Sequence, residues 1–127
     1  MKILLVDDDP DVAEFVRITL ASAGHSMEHA PDGAAGIQAA RSNRPDLIIL
    51  DVLMPKKDGL TTFEEIAADS TLRDTPVIML TSVNERLSFG YSADDMETHY
   101  GIRPAAFLEK PVNSKTLLQT ITEAGRG

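Results

Sequence analysis

The sequence of 127 residues contains no cysteine. This absence excludes a disulfide framework, a zinc site with cysteine ligands and thiol catalysis. The sequence also lacks an apolar run of about 18 residues, the length that a membrane-spanning helix requires. Met1 to Val6 lead directly into carboxylates, which is not the pattern of a signal peptide. We therefore expect a cytoplasmic protein without a membrane span.

Basic residues are few. Twelve Lys and Arg residues stand against 20 Asp and Glu residues, and the formal net charge is -8. Direct binding to nucleic acid needs a basic face for the phosphates, so this composition argues against it. The length fits one domain with one core. We predict that residues 1–127 form a single domain, without an output domain in this chain.

Short apolar runs alternate with amphipathic segments along the chain. Asp9 followed by Pro10 is typical of a helix N-cap with proline at the first helical position. Alternation of strands and helices predicts an α/β fold, a parallel sheet with helices on both faces. The predicted strands cover residues 2–6, 26–30, 47–50, 76–80 and 105–108. The predicted helices run from Pro10 up to Gly24 and over residues 34–42, 60–68, 93–100 and 113–124.

Polar side chains follow four of the five predicted strands. The carboxyl ends of parallel strands meet at one edge of a sheet, so these side chains can share one pocket. Three carboxylates together repel one another unless a cation neutralises them. Oxygen ligands without His or Cys nearby select a hard divalent ion, and we predict Mg²⁺. The side chains are Asp7 and Asp8, Asp51, Thr81 and Ser82, and Lys110.

This set of groups indicates phosphoryl transfer. A carboxylate oxygen can attack a phosphoryl group, while the metal and an ammonium hold the phosphoryl oxygens and a hydroxyl donates one more hydrogen bond. Asp51 stands directly after the apolar run Leu47 to Leu50. A carboxylate there is costly to bury unless something pairs with it.

Four motifs carry a resemblance to a known family. In this order and spacing the chain resembles, over its whole length, the receiver domain of two-component response regulators, and in particular the single-domain chemotaxis regulators. The resemblance implies a flavodoxin-like fold with strand order 2-1-3-4-5 and five helices. The motifs are Val6-Asp7-Asp8, Asp51-x-x-Met54-Pro55-x-x-Asp58-Gly59, Leu80-Thr81-Ser82 and Lys110-Pro111.

The resemblance also implies the acceptor and the metal ligands. Asp51 would be the phosphoacceptor, which takes a phosphoryl group from a histidine of a sensor kinase or phosphotransfer protein. Asp8, Asp51 and the main-chain carbonyl of Leu53 would bind Mg²⁺ directly, with Asp7 acting through water. The protein would be no enzyme beyond catalysing its own phosphorylation and dephosphorylation.

The remaining roles concern the switch. By the same resemblance, Lys110 would pair with the phosphoryl group and precede a cis bond to Pro111. Thr81 would swing toward the phosphoryl group, and Phe107 would be the coupled aromatic switch. The changed face would bind a downstream protein whose identity the sequence does not give, and a homodimer is left open.

One segment departs from the family pattern. The chain between Thr81 and Lys110 is several residues longer than in a typical receiver. We therefore expect an atypical fourth helix that is short, displaced or preceded by an ordered loop over residues 87–94. Because that helix belongs to the usual output face, the choice of partner cannot be transferred from the family.

Two other functions remain as alternatives. A haloacid-dehalogenase-like phosphatase would use Asp7 as nucleophile and Asp9 as acid–base, but the chain is too short for its cap and Asp51 would have no role. A receiver-like module could instead bind protein without phosphorylation. The spacing His25-x-x-x-His29 matches a helical metal pair, but it straddles a turn and a strand, which disfavours a metal site there.

Overall fold

The computed structural model describes residues 1–52, 59–82 and 93–125, and in this part of the chain five strands alternate with five helices. The strands are β1 (Lys2–Val6), β2 (Ser26–Ala30), β3 (Leu47–Asp51), β4 (Val77–Ser82) and β5 (Ala106–Lys110). The helices are α1 (Pro10–Ser22), α2 (Gly33–Asn43), α3 (Gly59–Ala68), α4 (Ala93–Tyr100) and α5 (Ser114–Gly125).

The strands form one parallel sheet in the order β2-β1-β3-β4-β5. This order confirms the predicted topology. Strands β2 and β3 flank β1, so the direction in which successive strands are added to the sheet reverses at β1. In open parallel sheets, the carboxyl ends of the two strands at such a reversal flank a crevice that can hold a ligand.

Both faces of the sheet are covered by helices, and successive strand residues point to opposite faces. On β1, Ile3 and Leu5 contribute to a core cluster with residues of α1 and α5, such as Val16 and Leu117. Leu4 and Val6 contribute to a second cluster on the other face, with residues of α2 and α3. Because β3 lies between these two layers, all five of its residues are buried.

Among the described residues, side-chain caps are seen at the start of three helices, α1, α2 and α5. The Asp9 carboxylate accepts a hydrogen bond from the Asp11 amide at 2.9 Å, which confirms the predicted cap of α1. The Asp32 carboxylate caps α2, and the Asn113 side chain accepts from the Thr116 amide at the start of α5. These caps satisfy amides that have no partner within the helix.

The predicted ends of β4 and β5 were wrong. Both strands continue two residues further, because Thr81 pairs with Glu109 and Ser82 pairs with Lys110. Main-chain hydrogen bonding does not depend on side-chain polarity, so the ladder continues through residues that the apolar pattern excluded. The hydroxyl of Thr81 and the ammonium of Lys110 therefore extend from regular strand positions.

The apolar face of α1 is only partly buried. Val16 and Leu20 lie in the core, but Phe15 is 38% exposed. Phe15 therefore lies at the edge of the apolar stripe, beside the buried positions Val16 and Leu20.

Helix α4 has eight residues, in agreement with a short fourth helix. Its Tyr100 ring contacts the Phe63 ring of α3 edge to face, with centroids 5.5 Å apart, and the side chains of Arg103 and Asp94 form an ion pair. Residues 87–92 of the predicted loop lie outside the described residues. Among the described helices, none has the length and apolar character needed to cross a membrane.

Candidate functional site

Two buried carboxylates stand side by side at the centre of the sheet edge. Asp7 follows the last residue of β1, and Asp51 is the last residue of β3. Val6 pairs with Leu50, so the residues that follow them are neighbours. Asp7 is fully buried and Asp51 is 2% exposed.

Asp8 completes an acidic cluster with these two residues. One carboxylate oxygen from each of Asp7, Asp8 and Asp51 can be chosen so that all three lie within 4.8 Å of one another. Asp8 is exposed, which opens the cluster to solvent. A set of carboxylate oxygens fits a hard divalent cation such as Mg²⁺. The fourth predicted metal ligand, the Leu53 carbonyl, lies outside the described residues.

The orientation of Asp7 is fixed by its neighbours in the chain. Its Oδ1 accepts a hydrogen bond from the Asp9 amide at 2.9 Å, and its own amide donates to the Ala30 carbonyl at 3.1 Å. The first bond joins the end of β1 to the start of α1, and the second joins it to β2. The turn that carries Asp7 and Asp8 is therefore held from both sides.

Lys110 brings a positive charge to the two buried carboxylates. Its Nζ lies 3.2 Å from Oδ2 of Asp7 and 3.4 Å from Oδ2 of Asp51. Burial lowers the pKa of the Lys110 ammonium, but the charges and hydrogen bonds of Asp51 and Asp7 outweigh burial and raise the pKa above its ordinary value. Lys110 therefore stays charged at neutral pH. The peptide bond to Pro111 is cis, as the family resemblance implied.

Thr81 is buried on β4, next to the strand that carries Asp51. Its Oγ1 donates a hydrogen bond of 3.4 Å to the main-chain carbonyl of Leu108 on β5. Phe107 is half-buried and packs against the core cluster on the α2 and α3 face. Thr81 thus lies on the strand next to Asp51, and Phe107 lies one strand further away, on β5.

The sequence motifs are only partly within the described chain. Met54, Pro55 and Asp58 lie outside the described residues, whereas Gly59 is the first residue of α3. The amide of Gly59 donates a 2.7 Å hydrogen bond to the carbonyl of Val52, the residue after Asp51. The start of α3 is thereby attached directly to the end of β3.

One contact of the acidic cluster was not predicted from sequence. The Nε2 atom of His29 lies 2.6 Å from the main-chain carbonyl oxygen of Asp7. His25 has a different partner, because its Nδ1 lies 3.0 Å from the N-terminal amine. The predicted strand over residues 26–30, next to β1, was the only signal that could have placed His29 near Asp7.

Comparison with known sequences identifies relatives. Residues 3–122 match the family model of the response regulator receiver domain. The chain is 39% identical over 123 residues to the response regulator MprA of Mycobacterium avium, which covers 94% of this chain and 51% of that protein. It is 40% identical over 84 residues to the DNA-binding dual master transcriptional regulator RpaA of Synechocystis, 66% of this chain and 35% of that protein. The chain spans about half the length, or less, of these curated relatives.

Solved structures share the fold. The chemotaxis protein CheY4 of Vibrio cholerae is 32% identical, with a TM-score of 0.82 over 97% of both chains. A putative response regulator from Chloroflexus aurantiacus is 27% identical, with a TM-score of 0.85 over 99% of this chain and 98% of that one. Together with the observed strand order, these similarities identify the fold as the flavodoxin-like fold of chemotaxis regulators.

Proposed function

Because this chain belongs to the response regulator receiver domain family, we propose that it is a phosphoryl-accepting switch with Asp51 as the acceptor. The observation that carries the proposal is the pairing of the buried Asp51 carboxylate with the Lys110 ammonium at 3.4 Å, within reach of Asp7 and Asp8. Receiver domains are signalling switches rather than classical enzymes. The proposed chemistry is therefore limited to the protein's own phosphorylation and dephosphorylation.

In the proposed reaction a carboxylate oxygen of Asp51 attacks the phosphorus atom of the donor. The new bond joins that oxygen to phosphorus, and the bond from phosphorus to the donor's histidine nitrogen breaks, so the nitrogen keeps the electron pair. Lys110 stabilises negative charge on the phosphoryl oxygens, because its ammonium is already held beside Asp51.

The cation site follows from the carboxylates. Asp8, Asp51 and the carbonyl of Leu53 would hold Mg²⁺, with Asp7 acting through water, and the bound ion supplies positive charge for the transferred phosphoryl oxygens. The burial of Asp7 and Asp51 and the exposure of Asp8 support an ion that enters from solvent. Asp7 also holds Lys110 in place through the ion pair of 3.2 Å.

The signal would pass through Thr81 and Phe107. Without phosphorylation the Thr81 hydroxyl donates a hydrogen bond of 3.4 Å to the Leu108 carbonyl. This bond is long and therefore weak, so the hydroxyl can donate to a phosphoryl oxygen instead. Phosphorylation would shift the population toward a state in which Thr81 points to Asp51 and the half-buried Phe107 moves with it.

The proposed phosphoryl donor is a sensor histidine kinase or a phosphotransfer protein, and the proposed target is a downstream protein. RpaA is named as DNA-binding, but the net charge of -8 supports no direct nucleic-acid contact for this chain. We propose that residues 1–127 act as one domain. The cytoplasmic location and a homodimer stay untested predictions.

The phosphatase alternative is disfavoured by the state of Asp9. A phosphatase of that type would need the Asp9 carboxylate as an acid–base, but this carboxylate caps α1 by accepting from the Asp11 amide at 2.9 Å. The phosphatase alternative also assigns no role to Asp51, which forms an ion pair with Lys110. The experiment below distinguishes the proposed switch from a module that binds protein without phosphorylation.

The test is the intact mass of the protein after incubation with Mg²⁺ and acetyl phosphate. We expect one added phosphate in the wild type, none in Asp51→Asn, and none when a chelator removes Mg²⁺. Asp74→Asn, which changes an exposed carboxylate away from the acidic cluster, is the matched control and should label like the wild type.

Three outcomes would contradict the proposal. No adduct under any condition would favour the binding module. An adduct that persists in Asp51→Asn would place the acceptor elsewhere. Continuous turnover of a generic phosphomonoester that requires Asp7 would favour the phosphatase.

A further inference from the structure

The side chain of His29, on the edge strand β2, contacts the main chain of Asp7, a residue of the acidic cluster. Its Nε2 lies 2.6 Å from the carbonyl oxygen of Asp7. A carbonyl oxygen only accepts hydrogen bonds, so a hydrogen bond here requires that Nε2 carry the hydrogen and donate it. The distance is short for a hydrogen bond between a nitrogen and an oxygen.

The strand register explains how the ring reaches this oxygen. His29 pairs with Leu5 across the β1–β2 ladder, and the regular pairing ends one residue later, at Val6 and Ala30. Residues two apart on a strand point to the same side, which puts Leu5 and the following Asp7 on the side of His29. The imidazole therefore extends the attachment of β1 to β2 beyond the last main-chain pair.

This hydrogen bond acts on Asp8 through the backbone. The carbonyl of Asp7 and the nitrogen of Asp8 belong to one planar peptide unit. Holding the oxygen fixes the rotation of that unit, and with it the direction in which the side chain of Asp8 leaves the main chain. Asp8 is the exposed carboxylate of the cluster, so packing restrains it less than it restrains the buried Asp7 and Asp51.

We propose that His29 is a positioning residue for the cation site: its Nε2–H holds the Asp7–Asp8 peptide so that the Asp8 carboxylate is directed at the divalent ion. The inference rests on the proposed function, since it takes the acidic cluster to be a Mg²⁺ site. It adds a chain-specific residue that none of the site motifs contains. Partners of this kind, which orient a ligand without touching the metal, contribute strongly to metal affinity.

The first part of the test uses the metal-free protein of residues 1–127. A ¹⁵N NMR spectrum of the histidine side chains in the presence of a chelator identifies which ring nitrogen of His29 carries the hydrogen in the neutral form. We expect Nε2–H. A neutral ring with the hydrogen on Nδ1 would overturn the proposal, because such a ring cannot donate from Nε2.

The second part measures the Kd for Mg²⁺ by calorimetry. We expect His29→Leu to bind Mg²⁺ about tenfold more weakly than the wild type, the lower end of the loss for such partners. His29→Gln should bind nearly as well as the wild type, because the glutamine Nε2 can reach the same oxygen and donate to it. His25→Leu is the matched control, since His25 contacts the N-terminal amine instead of the cluster, and its affinity should be unchanged.

The variants also separate positioning from simple loss of stability. Urea unfolding of each variant establishes that the Kd is measured on folded protein. If His29 acted only through packing, glutamine would not be expected to restore the Mg²⁺ affinity that leucine loses. Equal affinity for wild type and His29→Leu, failure of glutamine to restore the affinity, or no Mg²⁺ binding by the wild type would each overturn the inference. Labelling of Asp51 tests the proposed function separately: a protein whose Mg²⁺ affinity depends on His29 but which takes no phosphate would fail only the proposed function.

Discussion

Gly59 lies against the main chain of Asp51 so closely that a side chain cannot fit between them. A Cβ atom added to Gly59 would overlap the carbonyl oxygen of Asp51 and would lie 2.7 Å from the Cα of Val52. The hydrogen bond of 2.7 Å from the Gly59 amide to the Val52 carbonyl fixes this approach. The first residue of α3 is thus seated on the strand end that carries the candidate acceptor.

We expect Gly59→Ala to lower the free energy of unfolding by about 2 kcal/mol, because the clash is with main-chain atoms that cannot move aside alone. Urea unfolding measures this loss. The same change should slow labelling of Asp51 by acetyl phosphate, since relief of the clash shifts either α3 or the end of β3.

Gly36→Ala is the matched control. Its Cβ would first meet the side chain of Val6, 2.8 Å away, which can adjust more easily than a backbone. We expect a smaller loss of stability and a labelling rate close to that of the wild type. A Gly59→Ala protein as stable as the wild type would contradict the close approach.

Lys110→Met tests the charge balance of the site. Without its ammonium the buried carboxylates of Asp7 and Asp51 repel one another, so we expect the free energy of unfolding in chelator to fall by about 2 kcal/mol. This is less than the roughly 3 kcal/mol for a fully buried pair, because the Lys110 side chain is 28% exposed. The measurement is urea unfolding at pH 7.

Two comparisons make this prediction specific. The double variant Lys110→Met with Asp51→Asn should recover part of the loss, because one of the repelling charges is gone. Lys115→Met, which removes an exposed lysine at the start of α5, should have little effect. A Lys110→Met loss that the second substitution leaves unchanged would show that Lys110 does not act through Asp51.

Much of the fold and of the site follows from two simple patterns. Apolar runs such as the one before Asp51 predict buried strands, and the rule that parallel strands end at one edge places Asp7, Asp51 and Lys110 together. The structure has these three residues within ion-pair distance of one another through the Lys110 ammonium. Long-range contacts of this kind are predictable because the topology, rather than a particular side-chain conformation, produces them.

Other features leave no pattern in the sequence. His29 reaches a main-chain carbonyl, and main-chain atoms are the same at every residue, so no residue type at Asp7 indicates the contact. The polar ends of β4 and β5 continue the ladder because pairing depends on the backbone. The exposure of Phe15 depends on how far α1 lies over the sheet, which the helical period alone does not determine.

Asp69, which lies away from the acidic cluster, is expected to make the free energy of unfolding depend on pH. The pKa of Asp69 is lowered from 3.8 to about 2. The causes are hydrogen bonds from the Thr71 side chain, the Arg41 side chain and the Thr71 amide, together with the charge of Arg41, and they outweigh desolvation. A pKa that is lower in the folded protein stabilises it above pH 3.8, and this contribution is lost as the pH falls toward 2. The contact of 2.8 Å between Arg41 and Asp69 ties α2 to the end of α3.

We therefore expect Asp69→Asn to be less stable than the wild type at neutral pH and the difference to shrink as the pH falls from about 4 to about 2. Urea unfolding of both proteins at a series of pH values measures it. Glu14→Gln, which removes the exposed partner of Arg17 on α1, should show no comparable convergence. A difference between Asp69→Asn and wild type that is constant with pH would assign the loss to packing instead of charge.

Thr81 is predicted to act on phosphorylation rather than on stability. Thr81→Val keeps the shape of the side chain and removes a hydroxyl whose bond to the Leu108 carbonyl is long, 3.4 Å, so the free energy of unfolding should change by less than about 1 kcal/mol. If that hydroxyl donates to the phosphoryl group, its loss should slow labelling of Asp51 about fivefold, the rate equivalent of one ordinary hydrogen bond. Thr81→Ser retains the hydroxyl and should label almost as fast as the wild type. Equal labelling rates for the valine and serine variants would remove Thr81 from the reaction and leave Lys110 as the donor to the phosphoryl oxygens.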